Sequence, residues 1–287
     1  MSKKVLVFGS SGQLASALRN TVTTGEHVMR FVGRSEVDIT NEAGVVGLAS
    51  WKPDVIVNAA AYTAVDAAEA EAARANAVNV DGVANLVTLG QTVEAPLIHV
   101  STDYVFDGLR LDRDRWYAEE DRTNPLNVYG ASKLEGEILA LQSDRGTVLR
   151  TSFVYSATGG NFVKTILRLA GQDLPLRVVD DQRGCPTSAF QLAEVVNRVI
   201  ETDVAVPGLF HAASVAGASW WEFATHILEL AGIDKEIEPI PTSEFPLPAK
   251  RPEDARMSSA KLADQYGIEI ADWREGLVPV VRELCNE

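Results

Sequence analysis

Lys4-Val-Leu-Val-Phe8-Gly9-Ser10-Ser11-Gly12-Gln13-Leu14-Ala15 is the stretch on which the fold turns. A short apolar run with β-branched members is followed at once by two glycines three apart, then by helix-forming residues. Strand, tight turn and helix N-terminus in direct succession aim backbone N–H groups and the positive helix end at one point, the place where a pyrophosphate binds. The spacing is G-x-x-G-x-x-A, not the dehydrogenase G-x-G-x-x-G. Ala15 stands where helix and strand pack closely, and alanine is the smallest choice after glycine. A glycine turn that merely ends a strand is the plainer reading; the strand context favours a dinucleotide turn.

Working outward, apolar strand-like runs alternate with helical segments to about residue 150. The runs are Val5–Phe8, Val28–Val32, Asp54–Asn58, Leu97–Val100 and Thr147–Arg150, and the helices between them are Glu42–Trp51, Ala73–Val93 and Tyr129–Leu141. This order predicts an α/β fold, a Rossmann-like doubly wound parallel sheet covered on both faces. Within Ala73–Val93, the apolar stripe Val80, Ala84 and Val87 reads as core. Beyond residue 150 the pattern is irregular. Gln182–Thr187 is turn-rich, and Pro239, Pro241, Pro246, Pro248 and Pro252 crowd one segment. The expected organisation is a dinucleotide domain over 1–150, joined by 188–211, and a smaller C-terminal substrate-binding domain from 151–187 and 212–287. The charged stretch Asp107–Asn124 reads as a loop, either a rim over the site or simply solvated.

Selectivity for the dinucleotide is read after the second strand. His27–Val32 runs into Gly33-Arg34-Ser35, where a carboxylate would bind a ribose 2′-hydroxyl and an arginine a 2′-phosphate. Arg34 and Ser35 favour NADPH, while Glu36 leaves NADH open; a solvated surface arginine is the competing reading.

Chemistry concentrates in His99-Val-Ser-Thr-Asp-Tyr-Val-Phe-Asp-Gly108 and Tyr129-Gly-Ala-Ser-Lys133. Ser101 and Thr102 follow an apolar run, as at the carboxyl end of a buried parallel strand. Tyr129 and Lys133 sit four apart in a proline-free helical segment and so share a face. A hydroxyl, a phenol and an ammonium converging at a strand end can reduce or oxidise a carbonyl. Tyr-x-x-x-Lys alone occurs by chance in many helices; its order after the glycine turn and Ser-Thr is far more specific. A free tyrosine has a pKa of about 10. An ammonium about 4 Å away contributes on the order of 4 kcal/mol at an effective dielectric near 20, which is roughly three pKa units. Lys133 is therefore expected to draw the Tyr129 phenol toward neutrality.

Composition narrows the rest. The 287 residues suffice for one large domain or a dinucleotide domain with a companion. A net charge of −14 argues against nucleic-acid and anionic-membrane partners, which need a cationic footprint. Cys185 and Cys285 cannot make a disulfide framework, and neither sits in a metal-ligand pattern. Met1-Ser-Lys-Lys4 precedes only four apolar residues, too few for a signal-peptide core, and no apolar run approaches a membrane span. A cytoplasmic location is expected.

With these motifs assembled, the chain resembles the extended short-chain dehydrogenase/reductases, and within them the dTDP-4-dehydrorhamnose reductase family. The resemblance runs over nearly the whole chain. It includes Phe8–Gln13, Pro53–Asp66, Ser101–Phe106, Pro125–Gly130, Arg150-Thr-Ser152, Asp181-Gln182 with Gly184 and Pro186-Thr187, and Pro248-Ala-Lys-Arg-Pro252 followed by Ala255-Arg256. It implies Thr102, Tyr129 and Lys133 as the catalytic trio. It implies Gly9, Ser11, Gly12, Gln13, Leu14, Arg34, Asp38, Ile39, Ala59, Ala60, Ala61, Asn79 and Ser101 along the dinucleotide. Tyr129, Lys133, Thr151 and Ser152 would stand at its nicotinamide end. Thr63, Val65, Thr102, Asp103, Tyr104, Phe153 and Asn161 would line the sugar, and Arg251 and Arg256 would meet the diphosphate, where a guanidinium matches phosphate geometry.

The implied reaction is NADPH-dependent reduction of a dTDP-4-keto-6-deoxy sugar by a monomer or homodimer. Two departures stand out. Phe153 occupies a position where relatives often carry Trp, which keeps a ketoreductase of another deoxysugar pathway in view. Some relatives bridge a dimer through magnesium with carboxylates at positions that are Ala17 and Phe190 here, so no metal site is expected. Two rivals share the fold. A 4,6-dehydratase or epimerase would want Glu after Ser-Thr-Asp, where this chain has Tyr104. A non-catalytic partner like the regulatory subunit of eukaryotic methionine adenosyltransferase would not need the intact trio.

Overall fold

The computed structural model describes residues 2–21, 27–109, 112, 114–202 and 206–286. Arg110, Leu111 and Arg113 of the charged stretch lie outside the described residues, as does Met1 of the opening segment.

Among the described residues, six strands form one parallel sheet: β1 (Lys3–Phe8), β2 (His27–Val32), β3 (Val55–Asn58), β4 (Leu97–Thr102), β5 (Gly146–Thr151) and β6 (Gly208–His211). Their spatial order is β6-β5-β4-β3-β1-β2. Both faces are covered, so alternate residues of one strand enter different cores, as the two-residue period requires. Val5 and Val7 pack with Leu14, Leu18, Val195 and Val199, whereas Leu6 and Phe8 pack with Val45, Val83, Leu86 and Leu89. The chain leaves β1 toward β2 on one side and returns to β3 on the other. That reversal opens a crevice at the carboxyl ends of the strands, the usual ligand position in such sheets.

A third core, with Tyr155, Val163, Phe223, Ile227, Trp273 and Leu277, lies among later elements. Three two-stranded ladders serve this half: Leu176–Val179 with Ile237–Ile240, Val154–Tyr155 with Thr187–Ser188, and Arg183–Gly184 with Ala218–Ser219. The helix Ala189–Glu201 leads to β6, which pairs with β5. Among the described residues no helix is long and apolar enough to cross a membrane.

Three local expectations need correction. The helix expected over Ala73–Val93 is interrupted by a π turn at Ala77–Asp81. Its extra residue shifts the helical phase, so Gly82, Val83, Leu86, Leu89 and Gly90 are buried while Val80, Ala84 and Val87 are only half-buried. The helix from Glu42 ends at Gly47, and residues Leu48–Trp51 form a 3₁₀ turn. Finally, the stretch 107–124 is not wholly solvated. Tyr117 is buried against Phe106 in a stack with centroids 3.9 Å apart, and buried Glu119 accepts the backbone N–H of His211.

Candidate active site

At the first crossover, the Gly9 N–H donates to the Val32 carbonyl at 3.1 Å and the Gly12 N–H to the Gly9 carbonyl at 2.9 Å. Gly9 has φ +96°, and a Cβ on it would lie 2.7 Å from the carbonyl carbon and oxygen of Ala59. Only glycine lets the β1 turn touch the β3 turn this closely. The resulting cleft has two chambers, of about 540 and 370 Å³, that share Ser11, Gly12, Thr63 and Ala59 to Ala61 on their walls. The first turn of the helix Gln13–Thr21 faces the larger chamber through Gln13 and Leu14. Gly9, Arg34, Asp38 and Ile39 line the smaller one. Arg34 is largely exposed and donates from Nε to Asp38 at 2.9 Å. Hydrogen bonds from Thr40, and then the Arg34 guanidinium, hold the Asp38 carboxyl below its ordinary range.

The reacting side chains come from β4 and the helix Val128–Leu141. Asn127 caps that helix, its Oδ1 accepting the Gly130 N–H at 2.7 Å, which is worth about 1 kcal/mol. A Cβ at Gly130 would lie 2.3 Å from the Tyr104 carbonyl oxygen, so glycine here seats the helix against the turn that follows β4. Thr102, Asp103, Tyr104, Tyr129 and Lys133 thereby share the larger chamber with Ser101, Thr151, Ser152, Thr63 and Val65.

Hydrogen bonds organise this group around a buried carboxylate. Thr102 Oγ1 donates to Asp103 Oδ1 at 3.1 Å and accepts the Tyr104 N–H at 3.2 Å; Ser152 Oγ donates to Asp103 Oδ2 at 2.6 Å. Burial pushes Asp103 up to about 6 against the pull of those two hydroxyls. Burial also pushes the Tyr129 phenol up to about 12, with the Thr102 hydrogen bond opposing the rise and the Asp103 charge adding to it. Lys133, equally enclosed, is pushed down to about 8, with Glu137 opposing. The expectation that Lys133 draws Tyr129 toward neutrality is thus not met. Its Nζ donates instead to the Val100 carbonyl at 2.6 Å, and burial dominates the phenol. Ser101 donates at 2.5 Å to Glu137, which is buried in an ion pair with Arg150 at 2.8 Å.

At the far end, Phe153 stacks on Trp220 with centroids 3.5 Å apart, and Phe162 tilts against the same ring at 4.5 Å. Gln13 and Asn161, far apart in sequence, meet here: Asn161 Nδ2 donates to Gln13 Oε1 at 2.9 Å. Three expected residues do not line the cleft. Asn79 is buried behind it in the π turn, its amide bridging the Tyr62 backbone and the Ser132 hydroxyl. Arg251 is held by both oxygens of Asp66 at 3.0 and 2.6 Å, and Arg256 by both oxygens of Asp254 at 2.9 and 2.6 Å. Trp220 and Phe162 were not foreseen. The one sequence signal near them is the capping box Ser219-x-x-Glu222, which starts the helix carrying Trp220.

The donors present suit a dinucleotide. A main-chain cradle with no room for a Cβ at Gly9 meets a helix N-terminus, and Thr151 Oγ1 is buried in the wall without a partner among the described residues. No group of three or more His, Cys, Asp or Glu among the described residues is placed to hold a metal ion.

Comparison with known proteins agrees over the full length. Residues 3–286 match the family described as RmlD substrate binding domain. The chain is 41% identical over 295 residues to the dTDP-4-dehydrorhamnose reductase of Sinorhizobium fredii, covering 99% of this chain and 98% of that protein. It is 39% identical over 287 residues to that of Aggregatibacter actinomycetemcomitans, covering 96% and 97%. The crystal structure of dTDP-4-dehydrorhamnose reductase from Bacillus anthracis in complex with NADP has a TM-score of 0.93 and 34% identity, covering 99% of this chain and 100% of that one. With Thr102 at the end of β4, Tyr129 and Lys133 on the helix beside it and the glycine turn in the same cleft, the chain belongs to the dTDP-4-dehydrorhamnose reductase family.

Proposed function

We propose that this chain reduces the 4-keto group of dTDP-4-dehydrorhamnose with NADPH, yielding dTDP-rhamnose. The observation that carries the reading is that Thr102, Tyr129 and Lys133 line one chamber together with the glycine turn and the Ala59 to Ala61 wall. NADPH, when bound, supplies the hydride for the ketone carbon. The carbonyl oxygen then gains negative charge and needs donors. Tyr129, kept protonated by burial, delivers its phenolic proton to that oxygen. Thr102 gives a second hydrogen bond when its hydroxyl turns from Asp103. The Lys133 ammonium stabilises the phenolate left on Tyr129. Tyr104 cannot act as the base that water elimination needs, because burial and the Asp103 charge push its phenol up further still.

On this reading, residues 1–150 with 188–211 hold the dinucleotide, Arg34 meets the 2′-phosphate, and 151–187 with 212–287 hold the sugar. Phe153, Trp220 and Phe162 form the wall that excludes water from the reacting carbonyl. The reaction belongs to the cytoplasm.

The test is NADPH oxidation with the ketone made from dTDP-glucose by a 4,6-dehydratase, with and without a 3,5-epimerase. Turnover that depends on the epimerase supports the rhamnose assignment. Turnover without it moves the substrate to another 4-keto sugar, and no oxidation of NADPH with either ketone rejects the reading.

A further inference from the structure

Asn58 and His99 are buried on neighbouring strands, paired in register, and neither lines the cleft. Together they determine what Lys133 faces. The Ala60 N–H donates to Asn58 Oδ1 at 3.1 Å, and a backbone N–H can only donate, so the amide orientation is settled. Asn58 Nδ2, also only a donor, then faces His99 Nδ1 at 3.0 Å. Nδ1 must accept. The neutral ring therefore carries its proton on Nε2. Burial and the neighbouring Lys133 charge both oppose a doubly protonated ring.

Nε2 lies 3.3 Å from Lys133 Nζ. An Nε2–H facing an ammonium sets donor against donor, whereas facing an amine it makes a hydrogen bond to the lone pair. We infer that Asn58 and His99 are a positioning pair that governs the proton on Lys133: by presenting Nε2–H they favour the amine and give the activity an alkaline limit. The second half of that statement rests on the proposed service of Lys133 to Tyr129.

The other groups around Lys133 do not supply this bias. On its own helix, Glu137 favours the ammonium but is shared with Arg150 of β5 and with Ser101. Tyr129 is protonated, and Asp103, in the turn after β4, is engaged by Thr102 and Ser152. Asp66 and Arg74, on the short helices packed nearby, are paired with Arg251 and Glu71. The Val100 carbonyl accepts from either form of the lysine.

The wild-type protein, labelled with ¹⁵N and ¹³C and assigned sequentially, reads the pair directly. Nδ1 of His99 is expected unprotonated and Nε2 protonated from pH 6 to 9, and the Lys133 Cε resonance is expected to titrate no higher than about 8, the value to which burial already brings it. A protonated Nδ1, or a Lys133 midpoint at the ordinary lysine value, overturns the inference without any variant. Asn58→Asp is the converse test. A carboxylate accepts from Nδ1–H, inverts the tautomer and turns the Nε2 lone pair to the ammonium. The Lys133 midpoint and the alkaline limb of kcat/KM for NADPH, which reports the free enzyme, should both rise by about one pH unit or more. An inverted ring with an unmoved Lys133 midpoint overturns the pair's control of the proton. Near-wild-type turnover by Lys133→Met removes the alkaline limit and the role of Lys133 in the reaction, while the two resonances still decide whether the pair sets its proton.

Discussion

The two ends of the cleft are built from different materials. At the nucleotide end the wall is built largely on main chain, the Gly9–Gly12 turn and Ala59 to Ala61, supplied by the first and third strands as they end, with Arg34, Asp38 and Ile39 adding side chains. At the sugar end it is side chain: Phe153, Phe162 and Trp220, delivered by three separate segments. Phe153 even holds φ +46°, a backbone strain of about 1–3 kcal/mol for a residue with a Cβ. A main-chain wall has no side chain to trim and fails when one is added. A side-chain wall fails by degrees as its rings are removed. The reacting trio sits between, where neither rule applies and one oxygen atom matters.

That contrast can be broken, beginning with the junction. Tyr129→Phe should lower kcat by at least about a hundredfold, the scale of a lost general acid, with the KM for NADPH unchanged. Steady-state kinetics with near-wild-type turnover would remove Tyr129 from the mechanism. Next comes the main-chain end. Gly9→Val adds a Cβ 2.7 Å from the Ala59 carbonyl at a positive φ, so NADPH binding should weaken by at least about tenfold and stability fall by more than about 1 kcal/mol. Calorimetric binding together with thermal melting reads both, and an unaffected variant would mean the two turns part easily.

Arg34→Ala should raise the KM for NADPH by about tenfold, the low end of a hydrogen bond to a charged group since the side chain is exposed, and leave NADH nearly unchanged. Equal effects on the two dinucleotides would show that Arg34 does not see the 2′-phosphate. The mildest change belongs to the sugar end. Trp220→Ala removes a stack worth about 0.5–1.5 kcal/mol beyond its area, so kcat/KM for the nucleotide sugar should drop a few-fold with the KM for NADPH intact. A loss as large as that from Gly9→Val would erase the distinction between the two walls.

Legibility followed the same division. Lys4–Ala15 announces its strand, turn and helix because neighbours in sequence are neighbours in space there. Tyr129 and Lys133 could be paired in advance because four residues of helix bring side chains together. Trp220 could not be paired with Phe153, since no local period relates residues so far apart. The π turn at Ala77–Asp81 also escaped notice: a single extra residue leaves the composition of a helical segment unchanged while rotating its buried face. Glu119 reads as one more acid in a charged stretch until the backbone of His211 is seen to bind it.

From sequence alone came the alternating β and α elements, the glycine turn, the identity of Thr102, Tyr129 and Lys133 and the basic residue after the second strand, all carried by short-range periodicity and side-chain chemistry. Tertiary structure alone decided the state of those groups. Burial keeps Tyr129 protonated and depresses Lys133, the Asp66 and Asp254 carboxylates engage Arg251 and Arg256, and the Asn58 amide chooses the tautomer of His99. A residue's type sets what it can donate or accept. Its protonation and its partner depend on which distant groups displace water around it, and that is a property of packing.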